Sequence, residues 1–167
     1  MNIKSGEWPS TNPDKYFDYL AWHPYSYTSE PDDRWVEVNN ELYAVSQKYE
    51  KRNKKVYLTE FGYPHTLDIN NPDGAIERNT EWILKAYKLV EEKMPYVESM
   101  HCFRLFDSCK AYSWGNNIQL TSYGFFKDPL YSDGREKSIA KAFQKQAGGS
   151  GLLDLAYNSN PKPNPYR

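Results

Sequence analysis

Three stretches of the chain repeat one hydrophobic pattern. Each begins with a short run of β-branched and aromatic residues, passes through a polar and aromatic loop, and enters a segment whose apolar residues recur every three or four positions. The first run is "DYLAWH" (residues 18–23), followed by "PYSYTSEPDD" and a helix predicted over residues 33–52. In that helix Trp35, Val38, Leu42, Val45 and Tyr49 fall on one face, and Pro31 with the following aspartates marks its start. The second run, "KVYLTE", leads through "FGYPHTLDINNPDG" to a helix over residues 75–93 with Ile76, Ile83, Tyr87 and Val90 inward. The third, "VESMHCFRLFD" (residues 97–107), passes a long loop to "SYGFF" and reaches a helix over residues 134–146 carrying Ile139, Ala142 and Phe143. Strand, long loop and helix in triplicate predict an α/β fold of βαβ units, with a parallel sheet and its helices outside.

Loop lengths give the array a direction. The connections that follow the strands are long and aromatic, whereas those that follow the helices ("NKK", "MPY") are short. In parallel α/β folds function sits at the strand C-termini, where the long loops are. The strands start near residues 18, 55 and 97, a spacing of about forty, against just over ~30 per unit in a (β/α)8 barrel. Enlarged loops on the C-terminal face account for the difference. The chain divides into residues 1–147, which carry the three units, and residues 148–167, where "GGSG" and a Pro- and Asn-rich end have the composition of a linker and tail.

Composition narrows the partners. The 167 residues carry 21 Lys+Arg against 22 Asp+Glu, a net charge of -1. That leaves no basic excess for phosphates or anionic lipid, so neither nucleic acid nor a membrane is an expected partner. No apolar run approaches the ~20 residues of a bilayer span, and "MNIKSGEWPS" lacks the apolar core of a secretory signal. For an exported protein, the signal would lie outside this sequence. Cys102 and Cys109 have neither CxxC nor zinc-ligand spacing and read as free thiols. Aromatic residues make up 16%, many of them in loops, where flat rings suit the C–H faces of sugars.

The candidate chemistry lies at the strand ends. His23 and Tyr25 close the first strand, Glu60 the second, and Arg104 and Asp107 the third. Parallel strands bring these groups to one rim, and a tyrosine hydroxyl donating to a glutamate favours the charged form that a nucleophile needs. Asp107 reads equally as a sugar-hydroxyl ligand or as a partner of Arg104. Trp22, Trp114 and Tyr123 are candidates for stacking on a sugar, with core packing favoured for Trp22. His65 and His101 belong to no motif.

These residues carry a resemblance. "AWHPYSY", "VYLTEFGYP", and "FRLFD" followed by "YGFFKDPLYSDGREKSIAKAF" resemble the last three units of the clan A (β/α)8-barrel retaining glycoside hydrolases, over residues 16–144. The resemblance implies a partial TIM barrel made of strands six to eight. It implies Glu60 as catalytic nucleophile of a retaining double displacement on a β-linked polysaccharide or oligosaccharide. His23, Tyr25, Arg104, Asp107 and Trp114 would bind substrate, with no metal or organic cofactor. The sequence departs from the clan in offering Phe103 and Arg104 where a strand-eight tryptophan is common. The clan's acid/base carboxyl, which follows an asparagine at the end of strand four, has no counterpart, because this chain reads as starting after strand five. Asn40-Glu41 matches the dipeptide but falls mid-helix on the outside, and Glu7 lies where strand five would end. The expected activity of the chain alone is therefore little or none. The alternative is a non-catalytic half-barrel that binds carbohydrate or a protein. The open edges of such a sector predict a homodimer, a complementing N-terminal half-barrel, or cover from the tail at Leu152–Leu155, over an inner face carrying Tyr57 or Leu58 and Met100 or Cys102.

Overall fold

The computed structural model describes residues 12–26, 29–50, 53–64, 72–107, 123–127, 134–150 and 159–162. Among these residues, after a 3-10 turn at Pro13–Lys15, three strands alternate with three helices: β1 (Leu20–Trp22), α1 (Asp33–Glu50), β2 (Val56–Phe61), α2 (Pro72–Lys93), β3 (Val97–Cys102) and α3 (Ser138–Gln146). The strands form one sheet in the order β1-β2-β3. Both pairings are parallel, with Leu20 opposite Val56 and Val56 opposite Val97. This is the predicted α/β architecture, and its sequential order is that of a sector of a β/α barrel.

Local chemistry sets the element boundaries. Asp32 Oδ1 accepts the Trp35 backbone N–H at 2.9 Å and so caps α1. α2 begins at Pro72, whose fixed φ suits the first helical position. α3 ends where Gly148 takes φ 74°, and Gly149 N–H reaches back to the Gln144 carbonyl at 2.9 Å. The first two residues of "GGSG" thus close a helix in a glycine C-cap. Beyond them, Leu152, Leu153 and Leu155 lie outside the described residues.

The core lies between the sheet and the three helices. Val56, Leu58 and Phe61 of β2 are 0% exposed and pack with Trp35 and Val36 of α1, Ile83, Ala86, Leu89 and Val90 of α2, and Ile139 of α3. Leu58 pairs with Met100, and Met100 and Cys102 also pack against this core, so these three point to the helices. Cys102 is a free thiol, 3.4 Å from the Tyr87 hydroxyl, and burial pushes it up to about 11. The open face instead carries Tyr57, which stacks on Tyr19 with ring centroids 4.6 Å apart, and the exposed His101, whose Nε2 meets the Ser99 hydroxyl. Of the residues read for the inner face, Tyr57 is the one that lies there.

α1 departs from the sequence reading. Trp35 is buried, but Val38, Leu42, Val45 and Tyr49 are 48%, 46%, 54% and 72% exposed. The buried face is Trp35, Val36 and Asn39, with Tyr43 half-buried and stacked on Tyr96 at 3.9 Å. Asn39 can enter the core because its hydrogen bonds are made inside: its carbonyl accepts Trp22 Nε1 at 2.9 Å and its amide donates to the Trp35 carbonyl at 2.8 Å. A polar residue with satisfied partners thus rotates the helix away from its most apolar stripe.

Replacing Leu58 with alanine should cost about 2–5 kcal/mol in urea unfolding, as for a large buried side chain. Leu42→Ala should cost under about 1 kcal/mol because its site is already half in water. Equal losses would contradict this orientation of α1.

Candidate functional site

The end of β2 places Glu60 by alternation. Phe61 turns into the core against Trp35, with ring centroids 5.6 Å apart, and the preceding side chain therefore points the other way. The chain leaving β1 is held beside it, because Trp35 Nε1 donates to the Pro24 carbonyl at 2.8 Å. Farther out, the Tyr63 hydroxyl donates to the Ser29 carbonyl at 3.0 Å and meets Ser26 Oγ at 3.2 Å. These two anchors fix the His23–Tyr25 segment against the β2 end. Burial raises the Tyr63 hydroxyl to about 12, so it remains a donor.

Two side chains from the β1 end converge on one oxygen of Glu60. The Tyr25 hydroxyl donates to Oε2 at 3.1 Å, and His23 Nδ1 lies 3.4 Å from the same atom. The Glu60 side chain is 37% exposed, so the carboxylate is positioned yet reachable from solvent. Among the described residues no contact falls on Oε1. The sequence reading grouped these three residues on one rim, and the structure brings them into contact.

Behind them stands an aromatic wedge. Tyr123 is buried, with its ring edge-on to Tyr25 at 6.1 Å and to Phe103 at 5.7 Å. Gly62 makes room for this junction, since a Cβ there would lie 2.8 Å from the Phe103 carbonyl oxygen and 3.2 Å from the Tyr123 ring. Tyr123, read from sequence as a sugar-stacking candidate, is packed between strand ends and buttresses Tyr25. Trp22 is half-buried against the core, as read. Trp114, Glu7, His65 and Cys109 lie outside the described residues.

At the end of β3, Asp107 Oδ1 accepts the Gly124 N–H at 2.8 Å and Lys137 Nζ at 2.6 Å. Arg104 places its guanidinium over the Phe103 ring, 5.0 Å from the centroid, and adds a further positive charge near Asp107. The Phe103–Arg104 peptide is cis. The ion-pair partner of Asp107 is therefore Lys137, immediately before α3. Burial pushes the carboxyl up, opposed by Lys137, the Gly124 N–H and Arg104, and burial pushes the Lys137 ammonium down to about 8 against the pull of Asp107. The pair fastens three segments, because Phe126 bridges both Phe106 and Glu136 beside it. Gly124 permits that approach, as a Cβ would lie 2.1 Å from the Asp107 nitrogen. Lys137 was not singled out from sequence; a lone lysine ahead of a helix carries no local signal for a partner 30 residues away.

Glu41 sits on the exposed surface of α1, 3.6 Å from Arg34 and away from the rim, as its helical phase predicted. Among the described residues no three His, Cys, Asp or Glu side chains group as metal ligands, and no helix is long and apolar enough to cross a membrane. A surface hollow lined by Leu84, Lys85, Lys88, Glu91, Glu92 and Gln146 lies on α2 and α3, not at Glu60.

Lys137→Met should destabilise the protein by about 3–5 kcal/mol, since it strands a buried carboxylate. Asp107→Asn/Lys137→Met, which keeps the acceptor for Gly124, should cost clearly less than the single Lys137→Met change. Urea unfolding of the four-member cycle measures this, and additive losses would show that the pair is not coupled.

No protein-family model matches the chain, and no curated protein matches it. Among solved structures it is similar to a GH5_18 variant from Bifidobacterium longum subsp. longum in complex with Manβ1-4GlcNAc, at 17% identity and a TM-score of 0.49. The match covers 87% of this chain and 32% of that one, so the chain spans about a third of the length of the structure it matches.

Proposed function

We propose that the chain carries the nucleophile half of a retaining glycoside hydrolase site acting on β-linked saccharides. The observation that carries the reading is the convergence of Tyr25 and His23 on Oε2 of Glu60 at the C-terminal rim of a parallel sheet. With Oε2 held, Oε1 is the oxygen free to attack an anomeric carbon. The C–O bond to the leaving group breaks as the Glu60 ester forms, and water then hydrolyses that ester. Tyr25 and His23 are positioning residues that hold the carboxylate for in-line attack, and Tyr123 holds Tyr25.

A natural glycoside also needs a proton on its leaving oxygen, from a second carboxyl about 5–5.5 Å away in a retaining enzyme. Asp107 is engaged by Lys137 and Gly124, and Glu41 lies on the helical surface. The acid is thus assigned to a segment beyond the described residues, such as a complementing N-terminal half-barrel. Arg104, beside Phe103, and Trp114, which lies outside the described residues, remain candidate substrate contacts.

An activated leaving group removes the need for the acid and isolates the Glu60 step. Incubation with 2,4-dinitrophenyl 2-deoxy-2-fluoro-β-glycosides of gluco, manno and galacto configuration should release dinitrophenolate once per chain. The adduct should map to the peptide bearing Glu60 by mass spectrometry. Glu60→Gln should abolish labelling, and Tyr25→Phe should slow it roughly tenfold, as for loss of a hydrogen bond to a charged group. Labelling at another residue, or none with any of the three sugars, would overturn the reading; saccharide binding without labelling would favour the non-catalytic half-barrel.

A further inference from the structure

We infer that the outer flank of α1, together with the free edge of β1, is a docking surface for a second copy of this chain related by a two-fold axis. This inference concerns the chain by itself and does not rest on the glycosidase reading, although a complementing N-terminal half-barrel would compete for the same β1 edge. It starts from the exposed stripe Val38, Leu42, Val45 and Tyr49, spaced at four, three and four residues along one line of α1. An α-helix turns about 100° per residue, which puts the centre of this stripe about 150° round the axis from Asp33. Asp33 is paired with Lys93 at the end of α2. The stripe therefore occupies the flank turned away from α2, on the side of the sheet where β1 is the last strand among the described residues.

The β1 edge lies on the same side. Leu20 N–H donates to the Lys55 carbonyl of the neighbouring strand, so by alternation the backbone groups of Ala21 point outward. Ala21 is exposed and small, which lets another backbone approach. A copy related by a two-fold axis normal to the sheet would pair β1 with β1 in antiparallel fashion and set α1 against α1 at the ~8–10 Å spacing of packed helices. Both exposed features would be covered by one operation.

Charge along the helix favours a copy of itself in that antiparallel sense. With the apolar stripe centred between Leu42 and Val45, Glu41 of one helix comes within about 3 Å along the axis of Lys48 on the other, and the symmetry makes the contact twice. Glu41 and Lys48 both flank the stripe on its solvent side. In one copy Glu41 reaches only as far as Arg34, at 3.6 Å, while Lys48 lies over the Tyr49 ring, 6.0 Å from its centroid. The stripe is thus an apolar seam flanked by Glu41 in its first half and Lys48 in its second, an arrangement that favours antiparallel pairing of identical helices.

Sedimentation equilibrium of the full chain between about 5 and 200 µM tests it. The expected result is a dimer. Leu42→Asp/Val45→Asp should give a monomer with unchanged far-UV circular dichroism, since both sites are exposed in one copy. Glu41→Lys should weaken the dimer roughly tenfold, the upper range for exposed ion pairs made twice, and Glu41→Lys/Lys48→Glu should restore it. The restoring pair keeps the test decisive even if the aspartate variant fails to fold. A wild-type monomer across the range, an assembly larger than two, or a dimer indifferent to the charge reversals would each overturn the inference and leave the flank to another β/α segment.

Discussion

The alternation of β2 governs this molecule. Val56, Leu58 and Phe61 are fully buried between the sheet and three helices, and because Leu58 and Phe61 are an odd number apart, the register shift between them turns Phe61 inward and leaves Glu60 facing outward. Without that irregularity Glu60 would follow Val56 and Leu58 to the helix side and enter the core, where no described cation waits for it. The placement of the candidate nucleophile is therefore a by-product of hydrophobic burial. Its neighbours inherit their positions in turn: Trp35 packs on Phe61, and the same indole holds the Pro24 carbonyl that sets up His23 and Tyr25.

Around this strand the site is arranged as layers of decreasing burial. Tyr123, wedged against Tyr25 and Phe103, is nearly inaccessible, Tyr25 and Glu60 are half-buried, and the His23 side chain is more exposed than that of Glu60. Rigid aromatic contacts restrict the rotamers of Tyr25, so its hydroxyl needs little ordering to meet the carboxylate. The Asp107–Lys137 pair does a different task at the third strand end. There the strain of desolvating two charges is offset by joining β3, the 123–127 segment and the entry to α3.

What was legible in the sequence follows from which forces act locally. Strand ends could be read because burial runs such as "KVYL" stop at Gly62 and Pro64, and parallel pairing then brings Glu60 and Tyr25 together without further information. The face of α1 could not. Apolar count alone favoured Val38, Leu42, Val45 and Tyr49, whereas the actual face is set by Asn39, whose amide finds partners on β1 and on its own helix. Side-chain satisfaction across 17 residues leaves no periodic trace. The same holds for Lys137, whose partner is fixed by how the segment after β3 folds back. Gly148 is ambiguous in sequence for another reason: linker composition and a helix C-cap both call for glycine, and only φ separates them.

The contact between Cys102 and Tyr87 has a further consequence. A thiol held protonated at neutral pH by burial is a poor nucleophile, and its sulfur is shielded by the hydroxyl of α2. Cys102 is half-buried, so peroxide and alkylating agents should react with it faster when α2 lifts from β3 and uncovers the sulfur. The rate at which Cys102 becomes modified in the native protein is thus a clock for the opening of that layer, and its temperature dependence would measure how firmly the second helix is bound to the sheet without any need to unfold the rest.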